Sequence, residues 1–340
     1  MLACAAAPAA RAAGSLKEVK VFTLSWVGDM AFSSSHGLPA GDVPGALGTV
    51  KRLLAADVVT GNLEGTLATA GRSKCGGGSS DCFAFRAPPR YAHGFRRMGF
   101  DLLNVANNHF NDFGDTGQAQ TIAALDDARV AHAGRPGRVT TLRAEGTRIA
   151  FVGFAPYPWA APLLDIGAAQ ALVRQAAADA DLVVVMFHGG AEGSDRTHVP
   201  FGTETAFGEN RGNLRAFAHG VIDAGAGLVL GSGPHVIRGV ERYKRRMIAY
   251  SLGNFAGPNT LSTGGVTALS AILRVKLTSD GDVLGGRWIP IRLVPPGVPR
   301  FDATRASTAL VRRLSLADFR NRFSIFSDGR IARDPAVRRR

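Results

Sequence analysis

Three cysteines in 340 residues are too few for the disulfide framework that holds small secreted domains together. Nor is there any uninterrupted apolar run near the roughly 18 residues that a membrane-spanning helix needs. Acidic residues are scarce, 27 against 40 basic ones, and the formal charge of +13 favours polyanionic partners. Aromatic residues make up 8% of the chain and do not interleave with the basic ones, so the stacking platform of a single-strand nucleic-acid binder is missing and no specific nucleic acid is expected as a partner. No phosphate-binding P-loop, G-x-S-x-G elbow or dinucleotide G-x-G-x-x-G follows a strand-like run, which argues against nucleotide kinases, serine hydrolases and Rossmann dehydrogenases. What remains is a composition with 46% hydrophobic and 20% charged residues, that of a globular chain able to bury a large core.

The ends of the chain differ from its middle. Residues 1–14 are Ala-rich and resemble the end of a secretory signal peptide without its basic leading region, and an unstructured N-terminus reads equally well. Leu2-Ala3-Cys4 resembles a fragment of a lipoprotein box. Cys75 and Cys82 bracket a flexible C-G-G-G-S-S-D-C loop that would let two thiols meet, as an oxidising compartment allows, and two free thiols are the alternative. Residues 330–340 are basic and end in three arginines, either a solubilising end or a polyanion contact. These features predict an extracytoplasmic, periplasmic or envelope-associated protein with a truncated signal sequence. They divide the chain into residues 1–18, a main domain over 19–294 and a C-terminal extension over 295–340.

Short runs rich in Val, Ile, Leu and Phe predict buried strands over residues 19–27, 56–60, 100–106, 148–154, 181–187 and 227–230. Helical segments fall between them over 44–55, 117–130, 168–180 and 213–224, an alternation that predicts βα units. After Gly231 closely spaced strands over 236–241, 247–252, 267–277 and 283–294 have the pattern of an antiparallel meander, followed by a peripheral helix over 307–316 and a weakly ordered end. A mixed α/β sandwich, two stacked sheets flanked by helices, accommodates both halves in one domain.

Five of the strand-like runs end in polar signatures: Gly28-Asp29, Gly61-Asn62-Leu63-Glu64-Gly65, Ala106-Asn107-Asn108-His109, His188-Gly189-Gly190 and Gly231-Ser232-Gly233-Pro234-His235. Side chains at the carboxyl ends of neighbouring strands converge on one crevice. Singly, each such residue is ordinarily a turn former or a satisfied histidine. Together Asp29, Glu64, Asn108, His188 and His235 form a mixed oxygen and nitrogen set suited to Zn²⁺, Mn²⁺ or Fe, and the cysteines lie elsewhere. An ion so held would polarise a phosphoryl or carbonyl oxygen and acidify water, and His109 would serve as general acid or base. Glu192 either points into the crevice or is solvated at the surface. His36, His93, His132, His198 and His219 lack this placement, with His198 the nearest to an exception.

The order of these motifs resembles that of the CapA proteins of poly-γ-glutamate capsule biosynthesis. Gly28-Asp29-Met30, Asn62-Leu63-Glu64-Gly65, Ala106-Asn107-Asn108-His109, His188-Gly189-Gly190-Ala191-Glu192, Pro234-His235-Val236 and Tyr250-Ser251-Leu252-Gly253-Asn254-Phe255 occur in sequence over residues 19–275. The resemblance implies a four-layer α/β/β/α sandwich with mixed sheets, similar to calcineurin-like metallophosphoesterases, and a role in making or exporting an anionic γ-linked glutamate polymer with membrane-bound partners. It implies Asp29 and His235 at a first metal, Glu64 as the bridging carboxylate, Asn108 and His188 at a second metal and His109 as the catalytic histidine, with Asn62, Asn107, Glu192 and Asn254 in supporting positions. Two departures stand out. Ala31 occupies the position of a phosphoesterase histidine, and Gly233 that of the first histidine of a His-Pro-His motif. A single ion therefore fits the residues better than two. Two alternatives to a metal-dependent hydrolase of capsule synthesis stay open: a non-catalytic polyanion-binding component of an envelope assembly, and a metal-dependent phosphoesterase unrelated to capsule.

Overall fold

The computed structural model describes residues 19–76 and 82–337, so the signal-like segment, the lipoprotein-like Cys4 and the three terminal arginines lie outside the described residues. Two mixed sheets carry the fold. The first runs in the order Val298–Phe301, Val283–Val294, Leu269–Thr278, Val21–Met30, Val58–Leu63, Leu102–Asn104, Ala131–Ala133. Its half beyond Val21–Met30 is parallel, as expected for strands joined through helices, and its other half is antiparallel. The second sheet runs Val240–Tyr243, Arg246–Ala249, Leu228–Ser232, Leu182–His188, Thr147–Ala155, Thr140–Ala144, with its four central strands parallel.

Period-two alternation decides which side chains fill which layer. Phe22, Leu24, Trp26 and Leu273 of the first sheet pack against Phe151, Val184, Met186 and Leu230 of the second, forming the core between the sheets. On the outer face of the first sheet Val59, Leu103 and Ile272 meet helix Tyr91–Met98 through Tyr91, Phe95 and Met98, and helix Gly114–Asp127 through Leu125. On the outer face of the second sheet Val183, Val185 and Phe187 meet helix Ile166–Ala178 through Leu172 and Val173, and helix Leu214–Asp223 through Phe217 and Val221. The result is the four-layer α/β/β/α sandwich that the motif resemblance implied.

Both helices over the second sheet begin with a side-chain cap. Asp165 accepts from the Ala168 amide at 2.9 Å and Asn213 from the Ala216 amide at 3.0 Å, each satisfying a first-turn donor. Asp165→Ala is expected to cost about 1 kcal/mol in denaturant unfolding, with an unchanged denaturant slope.

The second half of the chain departs from the meander. Arg246–Ala249 pairs antiparallel with Val240–Tyr243 but parallel with Leu228–Ser232, while Leu269–Thr278 crosses to the first sheet beside Val21–Met30. Local turn spacing does not carry this division, because hydrophobic pairing across the sandwich decides it. Residues beyond 294 likewise do not stand apart. Val298–Phe301 is the edge of the first sheet, Arg330–Ile331 pairs with Val283–Val294, and Leu310, Val311 and Leu314 of helix Ala306–Asp318 join the core between the sheets. The segment predicted to be weakly ordered is tied down by Asp334, fully buried and bound by Arg242 at 2.8 and 2.9 Å.

Candidate functional site

The carboxyl ends of strands from both sheets open at one end of the sandwich. Asp29 ends Val21–Met30, Asn62 and Glu64 lie at the end of Val58–Leu63, and Asn107 to His109 follow Leu102–Asn104. Facing them from the second sheet, His188 ends Leu182–His188 and His235 follows Leu228–Ser232. The short strand Asn254–Ala256 pairs parallel with the end of Val21–Met30, setting Asn254 beside Asp29. Close backbone approach is a condition of this assembly. A Cβ on Gly28 would fall 1.9 Å from the Gly253 carbonyl oxygen, which accepts the Asp29 amide at 3.1 Å. The backbone at Gly233 has a φ of +116°, and a Cβ there would meet the Gly189 nitrogen and oxygen at 2.8 Å. No histidine fits at position 233 with this backbone. Ala31, fully buried, spends its amide on the Ala256 carbonyl at 2.8 Å.

Asp29, Glu64 and His235 form the centre: one donor atom from each lies within 4.8 Å of the others. His235 places Nδ1 2.8 Å from Asn254 Oδ1 and 3.3 Å from Asp29 Oδ2, which directs Nε2 to Glu64 Oε1 at 3.4 Å and Glu192 Oε2 at 3.7 Å. It holds this pose with a φ of +59°, sparsely populated for a residue with a Cβ, and such strain gathers at functional sites. His188 Nδ1 lies 3.3 Å from the Ser232 hydroxyl and 3.7 Å from Asp29 Oδ1, and its Nε2 lies 3.9 Å from Glu64 Oε1. A network of amides sets the carboxylates. Asn62 donates to Asp29 Oδ1 at 2.8 Å and accepts from Asn104 at 3.0 Å and Asn107 at 3.3 Å. Asn107 in turn accepts the His109 amide at 3.0 Å.

His109 approaches the same Glu64 oxygen. Its Nε2 is 3.9 Å from Glu64 Oε1, while Nδ1 is 2.7 Å from Asp112 Oδ2. Asp112 also binds Lys74 Nζ at 2.6 Å and accepts the Phe85 amide at 2.6 Å, and the Phe85 ring stacks on the imidazole at 4.1 Å between centroids. Lys74 and Phe85 flank the Cys75–Cys82 disulfide, whose Cα atoms are 5.5 Å apart.

Burial and neighbouring charge set the protonation of the cluster. Burial pushes the Glu64 carboxyl well above the usual carboxylate range, and the charges of Asp29, Glu192 and Asp112 add to this against the opposing pull of His235. Asp29 is as deeply buried, yet the hydrogen bond and charge of His235, together with His188 and Asn62, hold it below the ordinary value. Burial alone would lower His235, but the carboxylates of Glu64, Asp29 and Glu192 raise it well above an ordinary imidazole. Burial drives His188 down to about 3, with His235, Arg211 and His109 adding to it, so it is a neutral imidazole at neutral pH. His109 is also lowered, chiefly by burial, with Asp112 opposing.

Both Glu64 oxygens, His188 Nε2 and Asn108 Oδ1 are buried without a hydrogen-bond partner. Unpaired buried polar atoms are rare because each forfeits about 1–3 kcal/mol of solvation. The Glu64 oxygens and His188 Nε2, next to Asp29 and His235, form an oxygen and nitrogen donor set that fits a divalent cation, and Asn108 adjoins His109 in the chain.

Of the supporting residues, Asn62, Asn107, Glu192 and Asn254 all reach this cluster. His198 does not: it pairs with Asp318 at 2.6 Å away from the cleft. Four participants escaped the sequence reading. Asp112 follows His109 by three residues in the Asn-Asn-His-Phe-Asn-Asp string, a spacing that was the available signal. Asn104, Lys74 and Arg211 gave none. Arg211, almost fully buried, pairs with Glu192 at 2.8 Å and Glu209 at 3.0 Å, contacts made through the hairpin of Glu204–Ala206 and Glu209–Gly212.

These features define a class: a four-layer α/β protein with a buried carboxylate, amide and imidazole cleft at the ends of its strands. Residues 23–259 match the family of the bacterial capsule synthesis protein PGA_cap, and the chain belongs to that family. It is 30% identical over 181 residues to the capsule biosynthesis protein CapA of Bacillus anthracis, covering 47% of this chain and 41% of that protein. It is also 30% identical over 239 residues to the PGA biosynthesis protein CapA of Bacillus subtilis (strain 168), covering 64% of this chain and 58% of that one. The chain thus spans less than two thirds of the length of these relatives. Among solved structures, it is similar to the NAD nucleotidase of Haemophilus influenzae, with a TM-score of 0.43 at 12% identity over 90% of this chain and 65% of the other.

Proposed function

We propose that this protein is a metal-dependent, hydrolase-like component in the synthesis or export of poly-γ-glutamate or a similar anionic envelope polymer, acting outside the cytoplasm. The observation that carries the reading is the set of partnerless buried atoms on Glu64 and His188 beside Asp29 and His235. One divalent ion, Mn²⁺, Zn²⁺ or Fe, would be held by Asp29, Glu64 and His235, with His188 and Asn108 completing the donor set. When bound it supplies Lewis acidity toward a carbonyl or phosphoryl oxygen and acidifies water. The chain's own residues do the rest. Asn62 and Asn254 fix Asp29 and His235, and Asp112 orients His109 so that Nε2 faces the cleft and moves a proton to or from the reacting group. The disulfide supports an oxidising compartment. The +13 charge favours the polyanion, and membrane-bound synthesis or export proteins are the partners expected of a capsule pathway.

A second reading, binding of the polymer without hydrolysis, is favoured by Ala31 and Gly233, which leave the cleft short of two imidazoles. Metal content measured together with phosphodiesterase and γ-glutamyl hydrolase assays separates the two. A stoichiometric ion, with activity abolished in His235→Ala, is expected. Metal-free protein that still binds polyglutamate in a salt-sensitive way would leave only the second reading, and activity confined to phosphodiesters would point to a phosphoesterase unrelated to capsule.

A further inference from the structure

Helix Ala306–Asp318 and the segment that follows it enclose an open cavity of 540 Å³, away from the metal-type cleft and beyond the residues matched by the family. Its floor is apolar, with Phe323 and Ile325 buried and Leu316 at the margin. Three guanidinium groups line it, Arg312, Arg313 and Arg322, and no carboxylate does. All three arginines are exposed, and none makes an ion pair or hydrogen bond among the described residues. Other exposed arginines are either paired, as Arg90 with Asp42, Arg96 with Asp101 and Arg245 with Asp282, or, like Arg52, Arg129 and Arg174, unpartnered among the described residues outside this cavity, so what sets these three apart is that they line one concavity. Three unpaired guanidiniums around one concavity are therefore an anion site without its anion's equivalent in the chain.

We propose that this cavity binds a polycarboxylate chain, a second contact for the anionic polymer that is separate from the cleft; the inference rests on the polymer reading above. Planar guanidinium forks match carboxylates two oxygens at a time. The apolar floor accepts the methylene stems between successive carboxylates. A concave site also suits a flexible chain better than the flat surface of a bilayer, which would have to reach the recessed Phe323 and Ile325.

The test is binding of fluorescently labelled poly-γ-glutamate by anisotropy at several salt concentrations. It compares the wild type, the triple variant Arg312→Gln, Arg313→Gln, Arg322→Gln, and a charge-matched control, Arg52→Gln, Arg129→Gln, Arg174→Gln, placed on exposed arginines elsewhere. Loss of at least about tenfold in affinity for the cavity variant, with a shallower salt dependence and little change in the control, is the expected result. Equal affinity in the cavity variant, or an equal loss in the control, overturns the site while leaving the polymer reading in place. Absence of polymer binding by the wild type overturns both. Arginine-dependent binding to phosphatidylglycerol vesicles without polymer binding assigns the cavity to a membrane and overturns the proposal.

Discussion

Divalent-ion affinity is expected to rise with pH, by about tenfold per unit for each proton that binding releases, until the pH passes the raised values of Glu64 and His235. The reason lies in the two groups nearest the proposed ion. Burial raises Glu64 and the surrounding carboxylates, Glu64 first, raise His235, so this pair keeps a proton above the ordinary range. An ion needs the Glu64 carboxylate and the His235 Nε2 lone pair, so binding must expel one or two protons, and each contributes a factor of ten per pH unit until the pH passes the raised values. The stability of the metal-free protein carries the same sign. The raised imidazole of His235 stabilises the fold fully below about pH 6.5 and loses that contribution as pH climbs through its folded value. His188 acts on the opposite side. Its value, lowered to about 3, costs stability as pH falls below the ordinary imidazole range, where the unfolded chain protonates and the folded one does not. Glu64, also raised, costs stability as pH climbs above the ordinary carboxylate range, so metal-free protein should lose stability with rising pH above the ordinary imidazole pKa, where Mn²⁺ or Zn²⁺ should raise the melting temperature most. At a hundredfold excess over Kd the gain is about 2.7 kcal/mol. Calorimetric titration in two buffers of different protonation enthalpy reads the proton count directly, and a pH-independent affinity with no proton release would exclude the assignment of Glu64 and His235 as ligands.

Arg238→Ala is expected to cost about 3–5 kcal/mol, because it leaves a buried charge unpaired. Arg238 is fully buried and binds Glu204 through both oxygens, at 2.8 and 2.7 Å. The same guanidinium donates to the Arg196 carbonyl at 2.8 Å and the Ala191 carbonyl at 3.2 Å, while Glu204 accepts the Ala191 amide at 3.1 Å. These bonds pin the loop that carries Glu192 to the strand end that carries His235. The loss should therefore appear twice, as a lower denaturation midpoint and as weaker ion binding. The double variant Arg238→Met, Glu204→Gln should recover much of the stability, since the orphaned carboxylate is then gone. A deficit that persists undiminished in the double variant would place the cost in lost packing instead.

Much of this molecule was legible in one dimension. Apolar runs bounded by glycine marked most of the parallel strands, since a strand covered on both faces must be apolar throughout. The helix over Tyr91–Met98 was not marked, because its short amphipathic stretch begins after Pro88-Pro89 and is interrupted by Arg96 and Arg97. The chain pattern after Gly231 read as a meander because antiparallel and parallel edge strands have the same local composition, and only pairing partners tell them apart.

The sequence by itself determined that Asp29, Glu64, Asn108, His109, His188 and His235 sit at strand ends, since polar residues following apolar runs must leave the sheet there. It also determined the family, through motifs whose order survives without any coordinates. Tertiary structure alone decided that Arg211 and Asn254 anchor Glu192 and His235, and that position 233 has no room for a side chain. Those are contacts between segments far apart in the chain or limits set by backbone approach, and neither leaves a periodic trace for a sequence to show.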